Sequence, residues 1–210
     1  ELGSGTRMFV SASDAQADKW RGPGEQSRHN VSAGLQQRLG SRGNLEVYAV
    51  HNRFDRHEYR PLSYAQSQDP GSFASTDYAV GKSGNAALGA QYYDYNRQAF
   101  DESNVFAKLS WQLTADTVLR LKPYWSKTEG YRSTASGNTV MRMDIDQEQA
   151  GVIGEIQTTL AGQTLLAGWW AQRIETIPPP LSQKVYNLTS SGDLSFARWA
   201  ILAEMGKRDY

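Results

Sequence analysis

Three carboxylates, Asp144, Asp146 and Glu148, stand two residues apart in the stretch MDIDQEQ. On an extended chain alternate side chains share a side, so the trio presents its carboxylates together. Calcium ligation through oxygen is the chemistry such a trio offers. No EF-hand spacing accompanies it, and a solvated rim where a loop becomes a strand is the stronger reading. His29, His51 and His57 are the three histidines, and they show no metal-ligand spacing such as HExxH. Cysteine is absent, which removes thiol nucleophiles, thiolate metal sites and disulfides. GxSxG and Walker motifs are missing too. The expectation is a protein without covalent chemistry: no catalytic residues, no metal site and no cofactor.

Noncovalent recognition has better material. Tyr59, Arg60, Tyr64, Tyr78, Tyr92, Tyr93 and Tyr95 lie in or beside one long polar stretch. Tyrosine combines broad contact area, a polar tip and low ordering cost. Tyr92, Tyr93 and Tyr95 read as interface anchors on strand extensions. Tyr59, Arg60 and Tyr64 divide evenly between structural and ligand-contact roles. Trp20 and Arg21, in the turn-rich WRGPG, join them as ligand-binding candidates.

These residues hang on elements with a period of two. In NVFAKLSWQLTADTVLRLKPYWS, residues 104–126, Val105, Ala107, Leu109, Trp111 and Leu113 share one parity, and so do Leu119, Leu121, Pro123 and Trp125. Lys108, Ser110, Gln112, Arg120 and Lys122 hold the other. Residues 44–50 and 149–160 alternate likewise, whereas 6–13 and 193–205 do so weakly. Residues 30–39 also carry helical spacing, and their neighbour across LGSRGN favours a strand. Residues 163–173 are apolar on both parities, which leaves their facing open. The count is about eight strands.

Short connections at 39–44, 113–117 and 160–164 alternate with long ones at 14–27, 54–101, 127–146 and 177–190. The prolines at 178–180 cannot continue a paired strand. Hairpins stacked up and down follow, with tight turns at one end and large loops at the other. Apolar faces must match across each ladder, so the turn near Thr114 holds an odd number of residues. Three residues set Lys108 opposite Lys122, a like-charge pair; five set it opposite Tyr124, and the five-residue loop is preferred.

The chain has 22 basic and 22 acidic residues, so no net charge argues for a nucleic-acid partner. No apolar run approaches the roughly 20 residues of a spanning helix. The opening ELGSGTRMFV lacks the basic leader and apolar core of a signal peptide, as well as an initiator Met, and reads as part of a longer chain. A soluble β-sandwich that binds carbohydrate by its loops gives the same alternation. Strand length, small residues (Ala33, Ala49, Ala107, Gly154) among the apolar ones, loop alternation, and Trp111, Tyr124 and Trp125 as candidate girdle aromatics favour a membrane barrel. The polar face then lines a wet lumen, with Lys108, Arg120, Lys122, Glu155 and Gln157 projecting inward beside Gln36, Arg38 and Glu46.

The segment DKWRGPGEQSRHNVSAGLQQRLGSRGNLEVYAVHNRFD, with Trp20-Arg21-Gly22-Pro23-Gly24 and then Arg28 and Asn30 opening a strand, resembles the early barrel of TonB-dependent outer-membrane receptors. Residues 92–113 resemble a later strand entry of the same family. The resemblance implies a barrel of about 22 strands with a plugged lumen. Residues 1–210 are then a fragment of one antiparallel up-and-down transmembrane β-barrel domain, without plug or terminal strands. It further implies import of a scarce nutrient such as a siderophore, vitamin or oligosaccharide across the outer membrane of a Gram-negative bacterium. The implied partners are a TonB energy-transducing complex, engaged through a region upstream of Glu1, the small-molecule nutrient and outer-membrane lipid. A passive porin or a small closed barrel is the alternative.

Overall fold

The computed structural model describes residues 5–69, 71, 75–83, 91–177 and 182–200. They form one antiparallel sheet of nine strands: β1 (Thr6–Asp18), β2 (Glu25–Leu39), β3 (Gly43–His57), β4 (Arg97–Thr114), β5 (Thr117–Ser136), β6 (Thr139–Leu160), β7 (Gln163–Thr176), β8 (Gln183–Leu188) and β9 (Leu194–Trp199). Neighbours in sequence are neighbours in the sheet through β6. Both β7 and β8 then pair with β6, β7 along Gln147–Leu160 and β8 along Thr139–Met143. They run in one direction along one edge, as two halves of an interrupted strand, so the described residues make eight passes. The prolines at 178–180 lie outside the described residues, as do the last residues of the expected strand 193–205.

The register runs without a shift through the β1–β2, β2–β3, β3–β4, β5–β6 and β6–β7 pairs, so a face can be followed from strand to strand. One face carries Val10, Ala33, Ala49, Val105, Trp125 and Ala150 in one row, and Leu45, Leu109, Leu121 and Gly154 in another. Along β4 the apolar positions of this face run from Val105 to Leu113, about 27 Å of strand at ~3.4 Å per residue. A tilt near 40° reduces that to roughly 20 Å of height, close to the ~25 Å apolar band of an outer-membrane barrel. Trp111 and Trp125 stand at opposite ends of the band.

Among the described residues no second layer covers this face. Among the described residues only Tyr95 and Val140 are buried hydrophobics, whereas Val105, Trp111, Ile156, Leu165 and Trp169 are exposed. A soluble sandwich interdigitates two apolar faces into a packed core. Here the apolar side chains of a single curved sheet face outward, and a cleft of about 890 Å³ lies on the opposite, polar face. The sheet is open, with β1 at one edge.

Several expectations change. The β4–β5 turn is shorter than the five-residue loop: Trp111 pairs with Leu119 and Leu109 with Leu121, and a shift between Gln112 and Thr114 lets Thr114 pair with Thr117 around two residues. Lys108 and Lys122 therefore share a row, between the Phe106–Tyr124 and Ser110–Arg120 pairs. Each finds a carboxylate on its other side, Lys108 at 3.5 Å from Glu46 and Lys122 at 2.7 Å from Glu155. The repulsion that argued for a longer loop is relieved from the flanking strands.

The connections expected at 14–27 and 127–146 are mostly strand. β1 and β2 pair up to Asp18–Glu25, and β5 and β6 up to Ser136–Thr139. Gly137 at φ 60 turns that second hairpin in two residues, a conformation other residue types resist. Beyond the apolar band both faces carry polar residues, so these extensions show no alternation. β8 similarly occupies part of the stretch expected to be a loop at 177–190.

The facing of 163–173 is set by pairing. Leu165, Ala167, Trp169 and Ala171 lie opposite Thr158, Ile156, Gly154 and Val152 on the apolar face; Leu166, Trp170 and Gln172 lie on the other. Tyr124 pairs with Phe106 on the polar face and is no girdle residue.

Candidate ligand-binding surfaces

The connection 58–96 between β3 and β4 carries most of the sequence-selected contact residues, and two anchors fix its described parts. At one anchor the buried Lys19 ammonium lies 2.8 Å from Asp77, whose side chain is buried too. Asp77 also accepts the backbone N–H groups of Arg60 and Tyr78, at 2.9 and 2.8 Å. Lys19 donates to the Glu58 carbonyl at 2.8 Å and Arg21 to the Arg60 carbonyl at 2.7 Å. The Tyr59 ring packs 5.7 Å from Trp20, with the Lys19 ammonium 4.8 Å and the Arg21 guanidinium 5.4 Å from its centre. Burial and the Asp77 carboxylate raise the Tyr78 phenol above its ordinary value. Trp20, Arg21, Tyr59 and Arg60 thus come together around Asp77 and pin the loop to the β1–β2 connection. Of the four, Trp20 is exposed. Tyr64 stands apart, 82 % exposed at the start of a one-turn helix α1 (Tyr64–Ser67) that Ser63 caps.

The second anchor reaches the β8–β9 turn. Lys82 pairs with Asp193 at 2.9 Å, and the Tyr95 hydroxyl donates to the Gly192 carbonyl. The hydrogen bond raises the Lys82 ammonium and lowers the Asp193 carboxyl from their ordinary values. Tyr92 and Tyr95 meet edge to face at 4.9 Å beside this anchor, and burial raises both phenols. His57 is buried between Glu25 and Asp94, with Nε2 3.0 Å from the Asp94 carboxylate.

The polar face is the second surface. Lys108, Arg120, Lys122, Glu155 and Gln157 share it; Arg120 donates to Gln157 at 2.9 Å and Lys122 to Glu155 at 2.7 Å. Followed from β1 to β7, this face holds Arg7, Arg28, Arg38, Arg56, Lys108, Arg120, Lys122 and Arg132 against Glu46, Glu102 and Glu155. The apolar face collects the complementary excess of carboxylates, all of them beyond its apolar band. A chain neutral overall is therefore a sheet with a cationic interior.

Aromatic rings interrupt that interior. Phe9, Gly34, Tyr48, Phe106, Tyr124, Gly151 and Gln172 form one row across seven strands. Phe9 passes over Gly34 to lie 6.1 Å from Tyr48, and Tyr48 stacks 6.5 Å from Phe106. Tyr124 passes over Gly151 to donate to Gln172 at 2.6 Å. These rings line the cleft together with Gln36, Glu46, Lys108 and Lys122.

The carboxylate trio lies on the apolar face beyond its band. Asp144 is held at 2.7 Å by both Arg142 and Lys184, which spends it on ion pairs, and Glu148 accepts from Trp125. Sequence reasoning missed Asp77, for which a polar loop gives no periodic signal. The ring row was legible in principle, because Tyr48, Phe106 and Tyr124 occupy polar parity, but their alignment needs the register.

No protein-family model and no curated protein matches this sequence. Solved structures do. The unliganded ferric citrate transporter FecA superposes with a TM-score of 0.70 at 10% identity over 94% of this chain and 28% of that one. The open form of the ferric-catecholate import receptor Fiu from E. coli K12 gives 0.58 at 14% identity over 90% of this chain and 32% of that one. Its closed form gives 0.55 at 13% identity over 88% and 29%. The chain spans about a third or less of the receptors it matches. Its fold is similar to part of the barrels of these receptors, an open antiparallel up-and-down sheet.

Proposed function

We propose that this chain is part of the barrel of a Gram-negative outer-membrane receptor that captures a scarce anionic nutrient, of the metal-chelate class, and imports it with energy from a TonB complex. The observation that carries the reading is the uncovered apolar band backed by a cationic concave face. Hydrocarbon satisfies the first, and a wet lumen that attracts anions satisfies the second. The neighbours support the ligand class, being a ferric citrate transporter and a ferric-catecholate import receptor. The anchored connection 58–96 supplies a shaped, aromatic-rich surface at the end of the barrel where ligand arrives. Covalent chemistry has no part in this function. Residues 1–210 act within one barrel domain, and the energy-coupling contact belongs to another part of the protein.

Spin labels at Leu109 and Leu121, in protein reconstituted into bilayers, test the membrane placement. Relaxation by oxygen and protection from an aqueous nickel chelate are expected. Accessibility to the chelate at both sites overturns the reading. Import is tested by uptake of labelled ferric chelates in cells with and without a functional TonB complex, where energy-independent uptake would identify a passive pore.

A further inference from the structure

The face that carries the apolar band also carries a pocket, beyond the band and on the outside of the sheet. Arg97, Ser133, Arg142 and Lys184 pair in one row across β4, β5, β6 and β8, on the parity of Val105, Trp125 and Ala150. Ser133 is short, so the row has a gap between two guanidinium groups. Tyr131 and Tyr186 line the gap from the neighbouring rows, and Asp94 and Tyr95 line it from the connection 58–96. Its volume of about 330 Å³ falls at the lower end of the ~300–1,000 Å³ of small-molecule sites.

Charge is divided across this pocket. On the β6–β8 side one carboxylate serves two cations: Asp144 lies 2.7 Å from both Arg142 and Lys184, which leaves a positive charge in excess. Arg142 gives its Nε to Asp144 and rests 3.9 Å from the centre of the Tyr131 ring, so a planar donor is held in place. On the opposite side one cation serves two carboxylates, since Arg97 donates to Asp55 at 2.7 Å and to Asp94 at 3.3 Å. Arg97 and His57 both engage Oδ1 of Asp94, and among the described residues Oδ2 has no donor. The pocket thus has a donor end and an acceptor end.

Its height selects among ligands. Ser133 follows Trp125 by eight positions on β5. That is about 27 Å of strand at ~3.4 Å per residue, and roughly 20 Å of height at a tilt near 40°. A phospholipid head group reaches only about 5–8 Å beyond the hydrocarbon. The pocket is therefore out of reach of a phospholipid phosphate and level with longer glycans at the membrane surface.

We infer that this outward pocket binds an acidic sugar, a ring with hydroxyls and one carboxylate or phosphate. This rests on the membrane placement proposed above. The anionic group meets Arg142, because charge-assisted bonds to a planar guanidinium are strong and directional. The hydroxyls donate to Asp94, and the tyrosine rings cover the apolar face of the sugar. A neutral sugar forfeits the charged contact, and inorganic phosphate forfeits the ring and hydroxyl contacts. The sugar is carried by the glycan of a neighbouring lipid or arrives free in solution.

The test uses the protein purified in detergent from outer membranes, with glucuronate and glucose 6-phosphate as probes and glucose and inorganic phosphate as controls. Saturable binding of both probes is expected by calorimetry, about tenfold tighter than either control. Arg142→Gln should weaken the probes about tenfold and remove their advantage over glucose. Lys127→Gln makes the same charge change on the same face outside the pocket, and should leave affinity unchanged. Heat-dependent gel mobility confirms that each variant keeps its barrel. Absence of saturable binding, equal binding of glucose, unchanged affinity in Arg142→Gln, or an equal loss in Lys127→Gln overturns the inference. Bilayers with and without lipopolysaccharide distinguish the source. Glucuronate excluded only where lipopolysaccharide is present assigns the pocket to the lipid glycan, and glucuronate bound equally in both assigns it to free sugar. The spin-label result at Leu109 and Leu121 is independent, so a barrel that spans the membrane and fails to bind the probes overturns the pocket alone.

Discussion

Trp125 donates its indole N–H to the Glu148 carboxylate at 2.9 Å, and the two residues belong to different rows of the sheet. Trp125 pairs with Ala150 in the last apolar row, whereas Glu148 pairs with Lys127 in the first charged one. On the proposed membrane placement the bond crosses the boundary between hydrocarbon and headgroups. An indole suits that boundary because its body is apolar and its N–H is polar.

Trp125→Phe keeps the ring and removes the donor. A hydrogen bond to a charged group contributes roughly 1.5–3 kcal/mol net, and exposure brings this one below that range. Unfolding of the reconstituted barrel in guanidinium should show a loss of about 1 kcal/mol. Glu148→Gln, which keeps an acceptor, should lose less. A larger loss in Glu148→Gln than in Trp125→Phe would contradict the assigned boundary.

Asp77 organises the near anchor of the connection 58–96. Its partner Lys19 is fully buried, and Arg21 lies 3.8 Å away with a side chain 4 % exposed. Asp77→Ala leaves those cations without a counter-charge, and breaking a buried pair costs about 3–5 kcal/mol. Local opening should release that cost, because the anchor lies beyond the ends of β1, β2 and β3. Limited trypsinolysis should cut after Arg60 or Lys82 much faster in the variant. Gel mobility of the intact barrel should stay unchanged.

The far anchor depends on pH with a sign that follows from its two groups. Asp193 is lowered from 3.8 by its hydrogen bonds to Lys82 and Ser191, so its contribution is full above the unfolded value and fades as pH falls through the lower folded one. Lys82 is raised from 10.5, so its contribution is full below that value and is lost as pH rises through the higher folded one. A fluorophore pair on residues 80 and 190 should report a closed anchor from about pH 5 to 10. Opening is expected at both extremes, and Asp193→Asn should remove the acid limb.

How much of this was legible in the sequence depended on where water lies. On the proposed membrane placement one face between Val105 and Leu113 meets hydrocarbon and the other water, and alternation makes β4 and its apolar parity legible. Above Ser103 both faces are wet, and the paired residues Asp14–His29 or Lys127–Glu148 carry no period. There the sequence alone reads the hairpin extensions as loops. The β4–β5 register failed for a related reason. A two-strand view shows Lys108 meeting Lys122, while relief comes from Glu46 on β3 and Glu155 on β6. The loop candidates were recognised as residue types, but Asp77, which gathers four of them, has no pattern of its own. Tyr64, selected on equal grounds, lies apart from them.

Gly151 offers a test of the ring row that needs no ligand. It sits between Tyr124 on β5 and Gln172 on β7, and the Tyr124 side chain crosses it to donate to Gln172 at 2.6 Å. An added Cβ would lie 2.4 Å from the Tyr124 ring and 2.8 Å from the Ala171 carbonyl oxygen. The ring can swing away, whereas the backbone oxygen cannot, so Gly151→Ala both displaces Tyr124 and strains the β6–β7 ladder. Overpacking of this kind costs about 1–3 kcal/mol. Tyr124→Ala removes the first clash and leaves the second. The double variant Gly151→Ala/Tyr124→Ala should therefore recover part of the loss relative to Tyr124→Ala alone. In guanidinium unfolding of the reconstituted barrel, a non-additive cycle marks direct contact between the two positions. Strict additivity would place the Tyr124 ring off the wall, and the row described here would lose its last member.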